Sequence, residues 1–257
     1  MINIILSLLA RLIMPVARIF IFIATGIAIS ITWLFQFLRG DNQPEPVKMI
    51  LKAFFWGMLI TLPVFLIELG ASKLMEGAKL PYIISALVYW FLAIALVEEV
   101  FKYLVVRLKV LKSYEFDEPV DTMIYMVIVA LGFAALENIL YLLPPAQEIL
   151  SFGQVLERTV MISAFRFIGA TFLHALASAT VGFFLALSIC RPKRRRMAIT
   201  FVGLTLAVLL HGLYNFSIIE IPDPWKLVIP GIILVCLAIF VILGFNKLKK
   251  MKSVCKI

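Results

Sequence analysis

Long apolar runs, each closed by a short polar segment, recur along the whole chain. Seven of them reach the roughly 20 residues that a spanning helix needs: 19–38, 53–71, 82–106, 122–143, 159–190, 197–216 and 227–245. In lipid, only helices and closed barrels satisfy their own backbone hydrogen bonds. The expected fold is therefore all-α, a polytopic membrane bundle of about seven transmembrane helices. Residues 1–16 are also apolar but shorter, with Arg18 close behind. Residues 1–18 are read as an interfacial segment, an extension of the first helix or an eighth span. They lack a basic start and a small-x-small cleavage site, which argues against a cleavable signal peptide.

Four of the runs are interrupted by polar residues at helical spacing. Glu98 and Glu99 lie side by side in the third run. A charged group at the centre of a membrane helix costs roughly 2.5–3.5 kcal/mol on insertion scales, so the pair points to function. Lys102 follows four residues after Glu98 and three after Glu99, within reach of both. The fourth run carries Phe133, Glu137, Asn138 and Tyr141, the fifth Arg166, His174 and Ser178, and the sixth His211 and Asn215. Each residue alone has an ordinary packing role open to it: a structural ion pair, interhelical hydrogen bonding, or snorkelling in the case of Arg166. Three glutamates and two histidines on four separate helices are hard to explain as packing alone. On straight helices Glu98 falls toward the cytoplasmic end of its run, and Glu137, His211 and Asn215 toward the outer ends of theirs. That leaves a gap of roughly 10 Å to be closed by shifted ends, tilt or a break.

Buried carboxylates and imidazoles suit general acid–base chemistry. Two histidines with one glutamate also match a catalytic zinc set with an open water position, a second glutamate then serving as base. Proton relays in transporters use the same residue types. A hydrolase and a proton-coupled transporter are both open on these residues. A non-catalytic scaffold that grips a transmembrane partner through its polar cluster is a third reading. No repeated halves and no matching pair of Gly/Pro-broken helices favour the transporter.

Composition agrees with a membrane protein: 63% of the 257 residues are hydrophobic and the mean hydropathy is +1.06. The net charge of +9 changes the picture only through its placement. Of 24 Lys and Arg, 16 fall in segments 39–52, 107–112, 191–196 and 247–256, all on one side if seven helices alternate. The opposite loops hold only Lys73, Lys79, Arg158 and Lys226. This positive-inside pattern predicts a multi-pass protein of the cell membrane with a cytoplasmic C-terminus. It assigns the basic clusters to anionic lipid rather than nucleic acid. Cys190, Cys236 and Cys255 form no C-x-x-C, so no zinc knuckle is indicated. The chain reads as a single membrane domain over 1–257, with candidate catalytic helices over 82–216 and a basic cytoplasmic tail over 246–257.

The order of the motifs is more specific than their chemistry. Glu98-Glu99-x-x-Lys102, Asp121-x-x-x-Tyr125, Phe133-x-x-x-Glu137-Asn138, Arg166, His174-x-x-x-Ser178 and His211-x-x-x-Asn215 follow one another on successive helices. This set closely resembles the PrsW family of intramembrane proteases, over about Glu98 to Asn215. It also looks like a relative of the CAAX-prenyl protease superfamily, whose pattern is E-E-x-x-x-R, F-x-x-x-H and H-x-x-x-N. Lys102, and Glu137 where the wider group has a histidine, favour the PrsW branch.

The resemblance implies proteolysis of a membrane-anchored substrate. In PrsW-type systems that substrate is an anti-sigma factor, cut on its extracytoplasmic side to start regulated intramembrane proteolysis. Glu98, Glu99, Glu137, His174 and His211 correspond to the family's acidic and histidine motifs. The mechanism expected is water activation by Glu98 or Glu99. In a zinc version, Glu137, His174 and His211 bind the metal. In a metal-free version, His174 or Glu137 shares the proton and Asn215, with Asn138, stabilises the oxyanion. Lys102, Asn138, Arg166, Ser178 and Asn215 are the expected supporting residues.

Overall fold

The computed structural model describes residues 2–39, 44–78, 80–114, 116–143 and 151–251, with side chains from residue 17 onward. Among these residues all regular structure is helical. The elements are α1 (Ile2–Leu38), α2 (Val47–Gly77), α3 (Tyr82–Val110), α4 (Asp121–Leu142), α5 (Phe152–Ile168), α6 (Ala170–Ile189), α7 (Lys193–Glu220) and α8 (Trp225–Leu248). Seven spans are long and apolar enough to cross a membrane, α5 and α6 together counting as one. The apolar N-terminal segment continues α1 rather than forming a separate helix. At the other end α8 takes in residues 246–248 of the expected tail, and residues 252–257 lie outside the described ones.

The bundle is built around α4 and α6, and the others wrap them. In the most apolar stretch of α4, 78% of residues are buried, against 22% in α2. Both inner helices are rich in small residues: Ala130, Gly132, Ala134 and Ala135 on α4, and Ala175, Ala177, Ser178, Ala179 and Gly182 on α6. Small residues let helix backbones approach closely where lipid offers no hydrophobic drive to pack. The contact of α2 with α4 depends on this in both directions. A Cβ on Gly57 would collide with the Val129 carbonyl, and one on Gly132 with the Phe54 carbonyl. Large apolar side chains such as Phe20, Leu66, Leu74, Phe201 and Leu243 point outward, as a lipid-facing surface requires.

Two departures from regular helix shape the interior. The run at 159–190, expected as one helix, is two, broken at Gly169 (φ −95°, ψ −95°). The hydroxyl of Tyr214 occupies the space a Cβ would need at this glycine. Trp33 Nε1 donates to the Phe167 carbonyl at 2.8 Å beside the break, supplying a partner to a carbonyl at a helix end. The Trp33 ring stacks on Phe172 at 4.2 Å and on Phe167 at 5.2 Å. The second departure is in α3, which is π-helical over Val88–Leu96 and Val106–Val110. Such wide turns recur at functional sites, and these flank the segment that carries Glu98, Glu99 and Lys102.

The gap in depth expected from straight helices is closed. α3 runs to Val110 and α7 begins at Lys193, which moves Glu98 and His211 toward the middles of their helices. Tyr82 Oη and Trp90 Nε1, the latter at 2.8 Å, both donate to Glu220 and tie the start of α3 to the end of α7. At the other end of α4, Asp121 accepts the Asp117 and Glu118 amides at 3.0 and 2.8 Å, and Tyr125 Oη donates to Glu45 at 2.5 Å. The Asp121-x-x-x-Tyr125 motif thus anchors the start of α4.

Candidate active site

Helical spacing places Lys102 one turn beyond both glutamates of α3, and its ammonium meets them. Lys102 Nζ donates to Glu98 Oε2 and Glu99 Oε1, each at 2.9 Å. A third contact, also 2.9 Å, runs to His174 Nδ1 on α6. The Phe133 ring closes the cage, its centroid 4.4 Å from Nζ. An ammonium has no lone pair and can only donate. His174 Nδ1 therefore accepts, and the ring proton sits on Nε2, which donates to Glu137 Oε2 at 2.7 Å. The two ends of this imidazole are thereby fixed.

Glu98 and Glu99 are both buried but differ in surroundings. Glu99 Oε1 accepts from Lys102 and lies 3.0 Å from His211 Nδ1, while its Oε2 accepts from Ser178 Oγ at 2.9 Å. Glu98 uses only Oε2 among the described hydrogen bonds, and it lines a cavity of about 590 Å³. Glu137, Arg166, His174, His211 and Asn215 line the same cavity, whereas Glu99 and Lys102 stand behind its wall. The two histidine rings meet edge to face at 5.1 Å. With Nδ1 held by Glu99, His211 presents Nε2 to the cavity.

A second cluster supports the first. Arg166 Nη2 donates to Glu137 Oε2 at 2.8 Å, Nε donates to Asn138 Oδ1, and the guanidinium lies 4.1 Å from the Tyr141 ring centroid. Asn138 Nδ2 passes the chain on to Thr171 Oγ1 at 3.1 Å and reaches the Gly26 carbonyl at 3.4 Å. Arg166 therefore faces the bundle interior rather than snorkelling to an interface. All ten residues singled out in the sequence lie in this network except Asn215, which lines the cavity without a hydrogen bond among the described residues.

Glu68 is a further residue of the site, outside the motifs of the sequence. It lies on α2, lines the cavity with Thr61, Tyr89, Trp90 and Tyr214, and its Oε1 is buried with no partner. It is a carboxylate inside an apolar run, and the rule that flagged Glu98 would have flagged it too.

Among the described residues one group has the composition of a metal site. Glu98, Glu99, His174 and His211, all buried, each offer a ligand atom within 4.8 Å of the others'. Glu137, expected as a ligand, is outside this group and instead orients His174. Each histidine has one nitrogen on a carboxylate, Glu137 or Glu99, as metal-bound histidines usually have. The donor set and its supporting carboxylates thus fit a divalent ion.

The profile of the PrsW family intramembrane metalloproteases matches residues 45–244. Protease PrsW of Geobacillus kaustophilus is 32% identical over 201 residues, covering 78% of this chain and 80% of that protein. Protease PrsW of Bacillus subtilis is 29% identical over 236 residues, covering 91% and 97%. The Oceanobacillus iheyensis protein of the same name is 30% identical over 197 residues, covering 76% and 81%. No solved structure matches the chain.

Proposed function

The chain belongs to the PrsW family of intramembrane metalloproteases, and from that premise we propose how its buried polar cluster hydrolyses a peptide bond. It is a multi-pass membrane protein and an intramembrane protease, and its substrate is a membrane protein. The observation that carries the mechanism is the asymmetry of the glutamate pair: Glu98 faces the cavity with a carboxylate oxygen to spare, and Glu99 is enclosed by three partners.

Glu98 is the general base. It takes a proton from the attacking water and passes it to the leaving amine, the double duty a carboxylate performs in peptide hydrolysis. The Asn215 amide, one turn beyond His211 on α7, lines the same cavity, where it donates to the developing oxyanion, while His211, its proton on the Nδ1 held by Glu99, keeps the Nε2 lone pair free for a metal. Glu99 orients His211, and Glu137 orients His174. Arg166 holds Glu137 in place and balances its charge. Zinc is the ion proposed for the family's metal, with Glu98, Glu99, His174 and His211 as the residues that would hold it, Glu98 through one oxygen so that its spare oxygen still takes the proton. Bound there, it would acidify a water and polarise a carbonyl.

The substrate proposed is a single-span protein such as an anti-sigma factor, presented to the cavity that Trp90 of α3 and Ile219 of α7 help to line. The cytoplasmic placement of the C-terminus rests on the basic segments. The shared motif order supports a distant kinship with CAAX-type proteases. The deciding experiment is reconstitution in liposomes with a single-span anti-sigma factor. The wild-type chain yields a cleaved fragment and Glu98→Gln does not. A fully active Glu98→Gln would rule out the assigned base. Inhibition by a chelator and rescue by zinc would establish the metal. Proton flux without a cleaved fragment would return the transporter reading.

A further inference from the structure

Among the described residues, the group best suited to a cation already holds one. Lys102 Nζ stands 2.9 Å from Glu98 Oε2, Glu99 Oε1 and His174 Nδ1, donors on three of the four residues that form the metal-competent group. We propose that Lys102 is a resident cation, and that its ammonium and a divalent ion are alternative occupants of one position. The inference rests on reading Glu98, Glu99, His174 and His211 as the metal-competent set.

Three observations argue for exclusion rather than coexistence. His174 has one lone pair, on Nδ1, because Nε2 carries the proton given to Glu137. Lys102 consumes that lone pair, so His174 cannot become a ligand until the ammonium withdraws. Glu98 and Glu99 likewise each commit an oxygen to Nζ. Finally, Lys102 is fully buried and caged by Phe133, and two cations in so small a space would repel strongly.

Formal charge favours exchange once an ion is available. Two carboxylates with one ammonium leave a buried net charge of −1, whereas a divalent ion in the same place brings it to zero. Uncompensated buried charge is costly. The lysine stem is long and flexible, and the cavity adjoins the cage, so the ammonium has somewhere to go. The Lys102-held form is then a closed resting state in which the histidine and both glutamates are occupied, and metal entry frees the site by expelling the lysine.

Zinc titration of the purified full chain in detergent, followed by calorimetry, tests this directly. Lys102→Met is expected to bind zinc at least tenfold more tightly than the wild type, about 1.4 kcal/mol or more. Adding His211→Ala to Lys102→Met is expected to remove the gain. Equal affinities, no binding by Lys102→Met, or a gain that survives His211→Ala would each overturn the competition. Should Lys102→Met fail to fold, the wild-type chain decides. Mass spectrometry after amine labelling is expected to find Lys102 protected without zinc and modified at saturating zinc, and labelling that zinc does not change overturns the proposal. None of these readouts involves cleavage. A chain that exchanges Lys102 for zinc yet cuts no substrate would sink the protease mechanism and leave this inference standing.

Discussion

His211 Nδ1 lies 3.0 Å from Glu99 Oε1, and this bond turns the other nitrogen of the ring toward the cavity. Glu99 therefore acts through its neighbours. Glu99→Gln is expected to lower activity by weakening the hold on His211 and Lys102, and also to lower stability. Breaking a buried charge pair costs on the order of 3–5 kcal/mol. Glu98→Gln should lose about 10²–10⁴-fold in cleavage, the usual range for a general base, with a smaller loss of stability. Parallel cleavage and thermal-unfolding measurements in detergent would separate the two. Equal stability losses in both variants would contradict the division of roles.

Arg166 joins Glu137, Asn138 and the face of Tyr141. Lysine keeps the charge but cannot reproduce a planar fork over an aromatic ring. Arg166→Lys is expected to retain the fold and lose about tenfold or more in kcat, since mispositioned groups forfeit alignment. Single-turnover cleavage at saturating substrate is the measurement. An unchanged rate would mean that Glu137 needs no support.

Glu68 shares the cavity with Glu98 and Glu137, and its buried Oε1 has no partner. Glu68→Leu removes a buried oxygen that has no partner, so the thermal midpoint is expected to rise, by a gain of about 1 kcal/mol. Differential scanning fluorimetry of the purified variant reads the sign. A fall in the midpoint would indicate that the Glu68 carboxyl is satisfied in the folded protein.

The α2–α4 contact has no room for a methyl group at Gly57 or Gly132, because backbone carbonyls lie opposite both. Gly57→Ala and Gly132→Ala are each expected to destabilise by about 1–3 kcal/mol, the cost of overpacking. Gly70→Ala, where nothing lies nearby, serves as the control. Denaturant titration of the three variants would test the ordering.

Much of this was readable from the residues. The seven apolar runs became seven spans, because backbone satisfaction in lipid leaves a chain few choices. Glu98, Glu99, Lys102, His174 and Ser178 were placed on the right faces by three- and four-residue spacing, which helix geometry dictates. What spacing could not convey was the relation between helices. The break at Gly169 depends on a hydroxyl from Tyr214, 45 residues away. The metal-competent group takes in Glu98 and Glu99 but not Glu137, whose Oε2 meets Arg166 and His174 from two other helices. Glu68 stayed hidden for another reason: it belongs to no motif, and the apolar run that holds it, 53–71, has no second charged residue to draw attention to it.

The bond from Trp33 to the Phe167 carbonyl gives the chain an optical probe of its own. Indole emission responds to hydrogen bonding and to stacked rings, and Trp33 has both at the bend between α5 and α6. With three of the four tryptophans replaced, the colour and lifetime of the remaining fluorescence would report any swing of α5 as substrate arrives. The joint could then be watched in real time without attaching a dye.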